Sequence, residues 1–218
     1  MRSEFFTGLD LGQSCDYTAM AVVERTEEPG EWDHVAFAAR KIARLKLRHL
    51  ERVPLGTPYP EVVSRVATVM EALERLGRRH LLADATGVGR PVVDLLKLAR
   101  MKCQLWPVTI TGGDTERQEG GSFRVPKRDL IIGLQVNLSA GELEIANGTE
   151  WGGALLKEMA AMKVRMRRSR EQFGAYEEGE HDDLVLAVSL ACWGVRKMHR
   201  QVAGVVGHWI RDGGGAGL

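Results

Sequence analysis

Phe5-Phe6-Thr7-Gly8-Leu9-Asp10-Leu11-Gly12 opens the chain in alternation, with Phe5, Thr7, Leu9 and Leu11 in one parity and Phe6, Gly8, Asp10 and Gly12 in the other. A period of two marks a strand whose two faces differ. Its far end carries Asp10, a carboxylate between two leucines, which needs a partner or a solvent-facing edge. Tyr17 to Glu24 reads as a second strand. The turn-forming Gly12-Gln13-Ser14-Cys15-Asp16 between them predicts an antiparallel hairpin with two acids at its mouth. A turn at Glu28-Pro29-Gly30 then leads to a third strand around Val35 to Ala39, continuing through Ile42 to Leu47.

Beyond this all-β opening the period changes. Pro54 to Pro60 is a loop, after which Val62, Val66, Val69, Leu73 and Leu76 recur at helical spacing from about Glu61 until Gly77 stops the helix. His80 to Asp84 is too short and apolar for a helix and suits a buried parallel strand. Pro91 marks the first turn of another helix carrying Val92, Leu95, Leu96 and Ala99, and Leu105 to Ile110 is a strand. The order βββαβαβ is thus set before the midpoint. Gly112 to Gly121 is a polar loop or a hairpin. Lys127 to Ser139 and Trp151 to Met162 are helices. Met162 to Arg168 either pairs with Gln172 to Tyr176 as a hairpin or extends the preceding helix. A last helix opens near His181 and runs toward Met198. One domain over 1–200 and a flexible tail over 201–218 are expected.

Composition restricts the function. The 218 residues are 44% hydrophobic, enough for one well-packed domain. Thirty Lys and Arg against 29 Asp and Glu leave a formal charge of +1, so no global basic field points to nucleic acid. Cys15, Cys103 and Cys192 are odd in number and lack a CxxC pair, which speaks against disulfides or zinc and for small buried residues in a reducing compartment. No apolar run approaches the ~20 residues that span a bilayer, and no signal-peptide core follows Met1. A cytoplasmic location is expected.

Three stretches carry acids at the edges of elements: Asp10 with Asp16, Asp84 in Asp84-Ala85-Thr86-Gly87-Val88-Gly89, and Asp182-Asp183 after His181. Carboxylates gathered in low dielectric repel one another unless a cation offsets them, and hard oxygen donors suit Mg²⁺ or Mn²⁺. Asp10, Asp84 and Asp183 would form the principal ligands, with Asp16 and Asp182 as outer or second-site acids. Each has a structural alternative: Asp16 as a turn residue, Asp84 as a turn cap, Asp182 as the helix N-cap, Asp183 as a complement to the helix dipole. Gly87 and Gly89 either admit a phosphate close to the backbone or merely make a tight turn. His181 either assists protonation of a leaving group or positions the helix start.

Taken in order, Gly8-Leu9-Asp10-Leu11-Gly12, Asp16-Tyr17-Thr18-Ala19, Asp84-Ala85-Thr86-Gly87-Val88-Gly89, Val125-Pro126-Lys127-Arg128-Asp129-Leu130 and His181-Asp182-Asp183-Leu184-Val185-Leu186-Ala187 resemble the nuclease domain of bacteriophage large terminase subunits, from about Phe6 to Trp193. The resemblance implies an α/β, ribonuclease H-like fold: a central mixed five-stranded sheet flanked by helices, with an additional β-hairpin. It implies an endonuclease that cuts concatemeric double-stranded viral DNA with two Mg²⁺ or Mn²⁺ ions, using Asp10, Asp84 and Asp183 as catalytic ligands and Asp16 and Asp182 as supporting ones. A packaging ATPase, a portal and a small terminase subunit would be its partners in a bacterial host's cytoplasm. The sequence lacks the GxxxxGK[ST] loop of such an ATPase and begins a few residues before its first strand, so an excised domain, a split gene or a prophage remnant is expected.

Local basic clusters suit DNA phosphates. Lys157, Lys163, Arg165, Arg167, Arg168 and Arg170 are opposed only by Glu158, and Arg124, Lys127 and Arg128 form a smaller group. Aromatic content is only 6%, without the interleaving of a base-stacking platform, which favours recognition of backbone over bases. Alternatives are a Holliday-junction resolvase-like nuclease, an actin-like or sugar-kinase ATPase half, and a noncatalytic DNA-binding or docking module.

Overall fold

A computed structural model describes residues 3–12, 16–35, 37–87, 89–167, 170–174 and 181–211. Three antiparallel strands come first: β1 (Ser3–Asp10), β2 (Thr18–Asp33) and β3 (Ala38–Val53). Helix α1 (Tyr59–Leu73), β4 (Gly77–Asp84), α2 (Gly89–Leu98) and β5 (Gln104–Thr111) follow, then β6 (Arg117–Glu119), β7 (Ser122–Pro126), α3 (Lys127–Ser139), β8 (Leu143–Ile145) and α4 (Gly152–Ala161). Strands β9 (Lys163–Arg167) and β10 (Arg170–Gly174) form a separate hairpin before α5 (Asp183–Arg211).

The main sheet has eight strands in the order β6-β7-β5-β4-β1-β2-β3-β8, three more than expected. Its mixed character stands: β1, β4, β5 and β7 run parallel, and β8 joins β3 in parallel. The added strands β6, β7 and β8 span three to five residues, too short for a period of two to show. Gly120 and Gly121, both at positive φ, link β6 to β7 as the two central residues of a tight turn, so the Gly-rich stretch is a hairpin.

The turn expected at Glu28-Pro29-Gly30 is instead part of β2, and the chain reverses between Asp33 and Ala38. Pairing with β1 ends at Arg25, so beyond it one edge of β2 is open and the N–H that Pro29 lacks is not needed there. Two register shifts accommodate the long β2–β3 arm, one at Pro29/Trp32 and one at Val22/Val23, where Val22 pairs with His49 and Val23 with Leu47, leaving Arg48 as an extra residue.

Alternation along β1 and β4 sends side chains into two cores. Phe5, Leu9, Leu81 and Ala83 pack under α1 and α2 with Val62, Val66, Val92 and Leu96. Phe6 and Leu82 face the opposite side with Trp106, Phe123, Leu130, Leu155 and the buried α5 residues Leu184, Val188 and Trp193. Helix α5 can lie this close because β1 offers it Gly8: a Cβ there would stand 1.9 Å from the Ala187 carbonyl oxygen. The helix extends past Met198 to Arg211, into the stretch expected as tail. Gly204 and Gly207 lower helix propensity and hide that extension in the sequence. Residues 212–218 lie outside the described residues, as does Cys15; Cys192 is buried and Cys103 half-buried. No helix among the described residues is long and apolar enough to cross a membrane.

Candidate metal centre

The register of the sheet builds the centre. Leu9 pairs with Ala83 in the parallel β1–β4 ladder, which sets Asp10 and Asp84 on the next rung and on the face that α5 covers. On the other side Asp10 pairs with Ala19 of β2, and Ala19 with Arg52 of β3. One transverse row therefore reads Asp84, Asp10, Ala19, Arg52. Ala19, fully buried, keeps the middle of the row low beneath α5.

Asp10 and Asp84 are each 8% exposed and Asp183 is 5% exposed. Burial pushes the Asp10 carboxyl well above its ordinary range, and the charges of Asp84, Asp182 and Asp183 push it further against the opposing pull of Lys127. Among the described residues no hydrogen bond is donated to it. Asp84 is also raised by burial, but Thr86 restrains it: its N–H and its hydroxyl both donate to one Asp84 oxygen, at 2.8 and 2.5 Å. Asp84 thus caps the turn that follows β4 while its carboxylate stays buried beside Asp10. Gly87 sits at positive φ in that turn, and a Cβ on Gly89 would stand 2.2 Å from the Asp84 carbonyl oxygen. The two glycines serve the tight turn.

Asp182 occupies the N-cap position of α5 through its backbone, its carbonyl accepting from Leu186 N–H at 2.9 Å. Its side chain turns to Lys127, with Nζ 2.6 Å from the carboxylate. Glu158 of α4 supplies the missing cap, accepting from Val185 N–H at 3.1 Å. Asp183 is raised by burial and held down by the Arg52 guanidinium, whose Nε is 2.9 Å away. Arg52 also contacts Glu158, which burial and the Asp183 charge push up to about 7. His181 lies 4.0 Å from Asp183 and edge-on to Tyr17.

Asp16 is exposed ahead of β2, beside a cavity of about 280 Å³ that Thr18, Thr57 and Tyr59 also line. Arg124 is exposed on β7, whereas Arg128 pairs with Asp114 and Asp129. Lys163, Arg165 and Arg167 belong to β9 and Arg170 to β10, settling the hairpin over the helix extension, while Arg168 lies outside the described residues.

Sequence reasoning missed Arg52, Glu158 and Thr86. Glu158 was detectable: it follows the inward Leu155 by three positions, a charge on the buried stripe of a helix, where an acid needs a reason.

Among the described residues, no three acid, imidazole or thiol groups are drawn up around one point. The donor set nevertheless suits a hard divalent ion, since neighbouring buried carboxylates that raise each other's proton affinity hold the charge that such an ion offsets. A stability consequence follows. Asp10 binds its proton more tightly folded than unfolded, so its ionisation costs stability as pH climbs from 3.8 through the raised value. In EDTA, Asp10→Asn is therefore expected to raise the unfolding midpoint at neutral pH by a few degrees, about 1–2 kcal/mol. The gain should vanish in acid, where wild-type Asp10 is itself protonated. A calorimetric midpoint that falls on substitution at neutral pH would contradict this.

No protein-family model and no curated protein matches the sequence. Solved structures do. The large terminase nuclease of thermophilic phage G20c is 20% identical with a TM-score of 0.57, over 87% of this chain and 81% of that one. The same nuclease with bound magnesium is 21% identical with a TM-score of 0.56, over 87% and 80%. The large terminase nuclease domain of Thermus phage P74-26 is 18% identical with a TM-score of 0.55, over 87% and 78%. The three-strand meander and the parallel strands continuing its sheet thus form the ribonuclease H-like fold of large terminase nuclease domains.

Proposed function

We propose that this protein is a divalent-metal-dependent endodeoxyribonuclease of the genome-packaging type, cutting concatemeric double-stranded DNA by two-metal hydrolysis. The observation that carries this reading is the row placing buried Asp10 beside buried Asp84, with Asp183 close enough to raise the Asp10 proton affinity. The likeness to terminase nucleases in fold supports it. Asp10, Asp84 and Asp183 would hold Mg²⁺ or Mn²⁺, with Asp182 and Asp16 as supporting acids. When bound, two such ions activate the attacking water and stabilise the leaving oxygen.

The chain's own residues do the positioning. Thr86 fixes one Asp84 oxygen through its N–H and its hydroxyl. Lys127 balances Asp182 at the mouth, and Arg124, Lys163, Arg165, Arg167, Arg168 and Arg170 would hold DNA by its phosphates, giving affinity that falls steeply with salt. A separate packaging ATPase, a portal and a small terminase subunit would act with it inside an infected bacterium.

The test is a plasmid-nicking assay with Mg²⁺, Mn²⁺ and EDTA, run beside a linear duplex and a four-way junction. Cleavage of plasmid and duplex with either metal and none in EDTA is the expected result. Cleavage of the junction alone would replace this reading by a resolvase, and no cleavage of any substrate would overturn it.

A further inference from the structure

The guanidinium of Arg52 sits in a built enclosure at the start of α5. Its side chain is only 12% exposed, and those of Glu158 and Asp183, which it contacts, are 6% exposed. It meets Asp183 with two nitrogens, Nε to one oxygen at 2.9 Å and Nη2 to the other at 3.3 Å. Such a planar, two-point grip fixes a carboxylate's rotation as well as its charge. The Tyr17 ring lies 4.8 Å from the guanidinium carbon and the Trp151 ring 5.5 Å. Trp151 adopts φ 64, a conformation bulky residues rarely take, at the N-cap of α4. Glu158 then joins the two parts: one of its oxygens meets Arg52 and the other caps Val185 of α5.

We propose that Arg52 and Glu158 are a positioning pair that sets the orientation of Asp183 for metal binding, Arg52 by its two-point grip and Glu158 by tying Arg52 to the first turn of α5. The proposal rests on the metal-nuclease reading above and adds the residues that make Asp183 competent. Arg52 is not a phosphate-binding arginine, because two carboxylates and two aromatic rings already surround it. Nor is the pair a loose surface contact, because all three charged side chains are nearly enclosed, where an unsatisfied partner would be costly.

Arg52→Lys separates orientation from charge, since it keeps the cation and loses the planar fork. Glu158→Gln keeps an oxygen for Val185 N–H and loses the charge facing Arg52, which provides a second route should the first variant fold poorly. The measurement is the Mn²⁺ dissociation constant of the full chain by titration calorimetry, with the unfolding midpoint in EDTA as a check on the fold. Both folded variants are expected to bind Mn²⁺ about 10- to 100-fold more weakly than wild type, as is typical when a residue orienting a metal ligand is lost. Wild-type affinity in Arg52→Lys or in Glu158→Gln would overturn the proposal, as would tighter binding by Arg52→Gln, which would make Arg52 a mere counter-charge. Wild-type protein that neither binds Mn²⁺ nor cuts DNA would overturn the nuclease reading and the proposal with it, whereas active wild type with unimpaired variants removes the proposal alone.

Discussion

Asp10→Asn is expected to reduce Mn²⁺-dependent plasmid nicking by on the order of a thousandfold or more while leaving the protein folded. Asparagine matches the shape of aspartate, so the transverse row stays packed, but it removes a full negative charge from the acid that feels Asp84, Asp182 and Asp183 together. Asp183→Asn should do the same, with an added structural cost because it also weakens the grip of Arg52. Nicking rates for both variants, measured with circular dichroism to verify the fold, decide the matter. Rates within tenfold of wild type would remove these acids from the chemistry. Loss of activity in Asp10→Asn together with higher stability in EDTA is the combined signature of a buried charge kept for function at the expense of folding.

Gly8→Ala is expected to cost about 3 kcal/mol or more, which for a chain of this size lowers the unfolding midpoint by about 6–12 °C. The reason is a backbone collision: a methyl group at Gly8 would stand 1.9 Å from the Ala187 carbonyl oxygen and 2.9 Å from the Ala191 nitrogen, and neither can rotate away. Only a displacement of α5 relieves it, and that carries Asp183 away from Arg52 and Asp10, so nicking should fall along with stability. Gly153→Ala is the contrasting case. Nothing lies within 4 Å of its added methyl, and alanine favours the helix it belongs to, so a neutral or stabilising effect of about 0.5–1 kcal/mol is expected. Thermal unfolding of the two variants side by side tests the account; a midpoint for Gly8→Ala within a degree of wild type would refute it.

How much of this was visible in the amino-acid order depends on the range of the interaction concerned. The alternation of Phe5 to Gly12 was a local signal and led directly to β1, and the helix over Lys127 to Ser139 was found residue for residue because its inward Leu130, Ile131 and Leu134 repeat regularly. The acids Asp10, Asp84 and Asp183 were singled out because charge beside apolar neighbours at an element's edge is locally anomalous. Arg52 had no such anomaly. An arginine in the polar stretch Leu50-Glu51-Arg52 is unremarkable until the β2–β3 register aligns it with Ala19 and the helix arriving 131 residues later brings Asp183 to it. The short strand β8 was missed for the complementary reason: its pairing comes from a neighbour distant in sequence, Leu45 with Leu143, and not from its own composition.

The irregularity at Val22/Val23, opposite the extra Arg48, has a mechanical consequence. It separates the five inner rungs, Thr18–Val53 to Val22–His49, which include Ala19 with Arg52, from the long outer ribbon that reverses between Asp33 and Ala38. A phase change introduced farther out can be absorbed at this slip joint before it reaches the inner rungs. The ribbon is therefore free to lengthen, shorten or change its outer residues while the distance between the acid pair and its arginine stays constant, which lets one part of the molecule diversify without retuning the other.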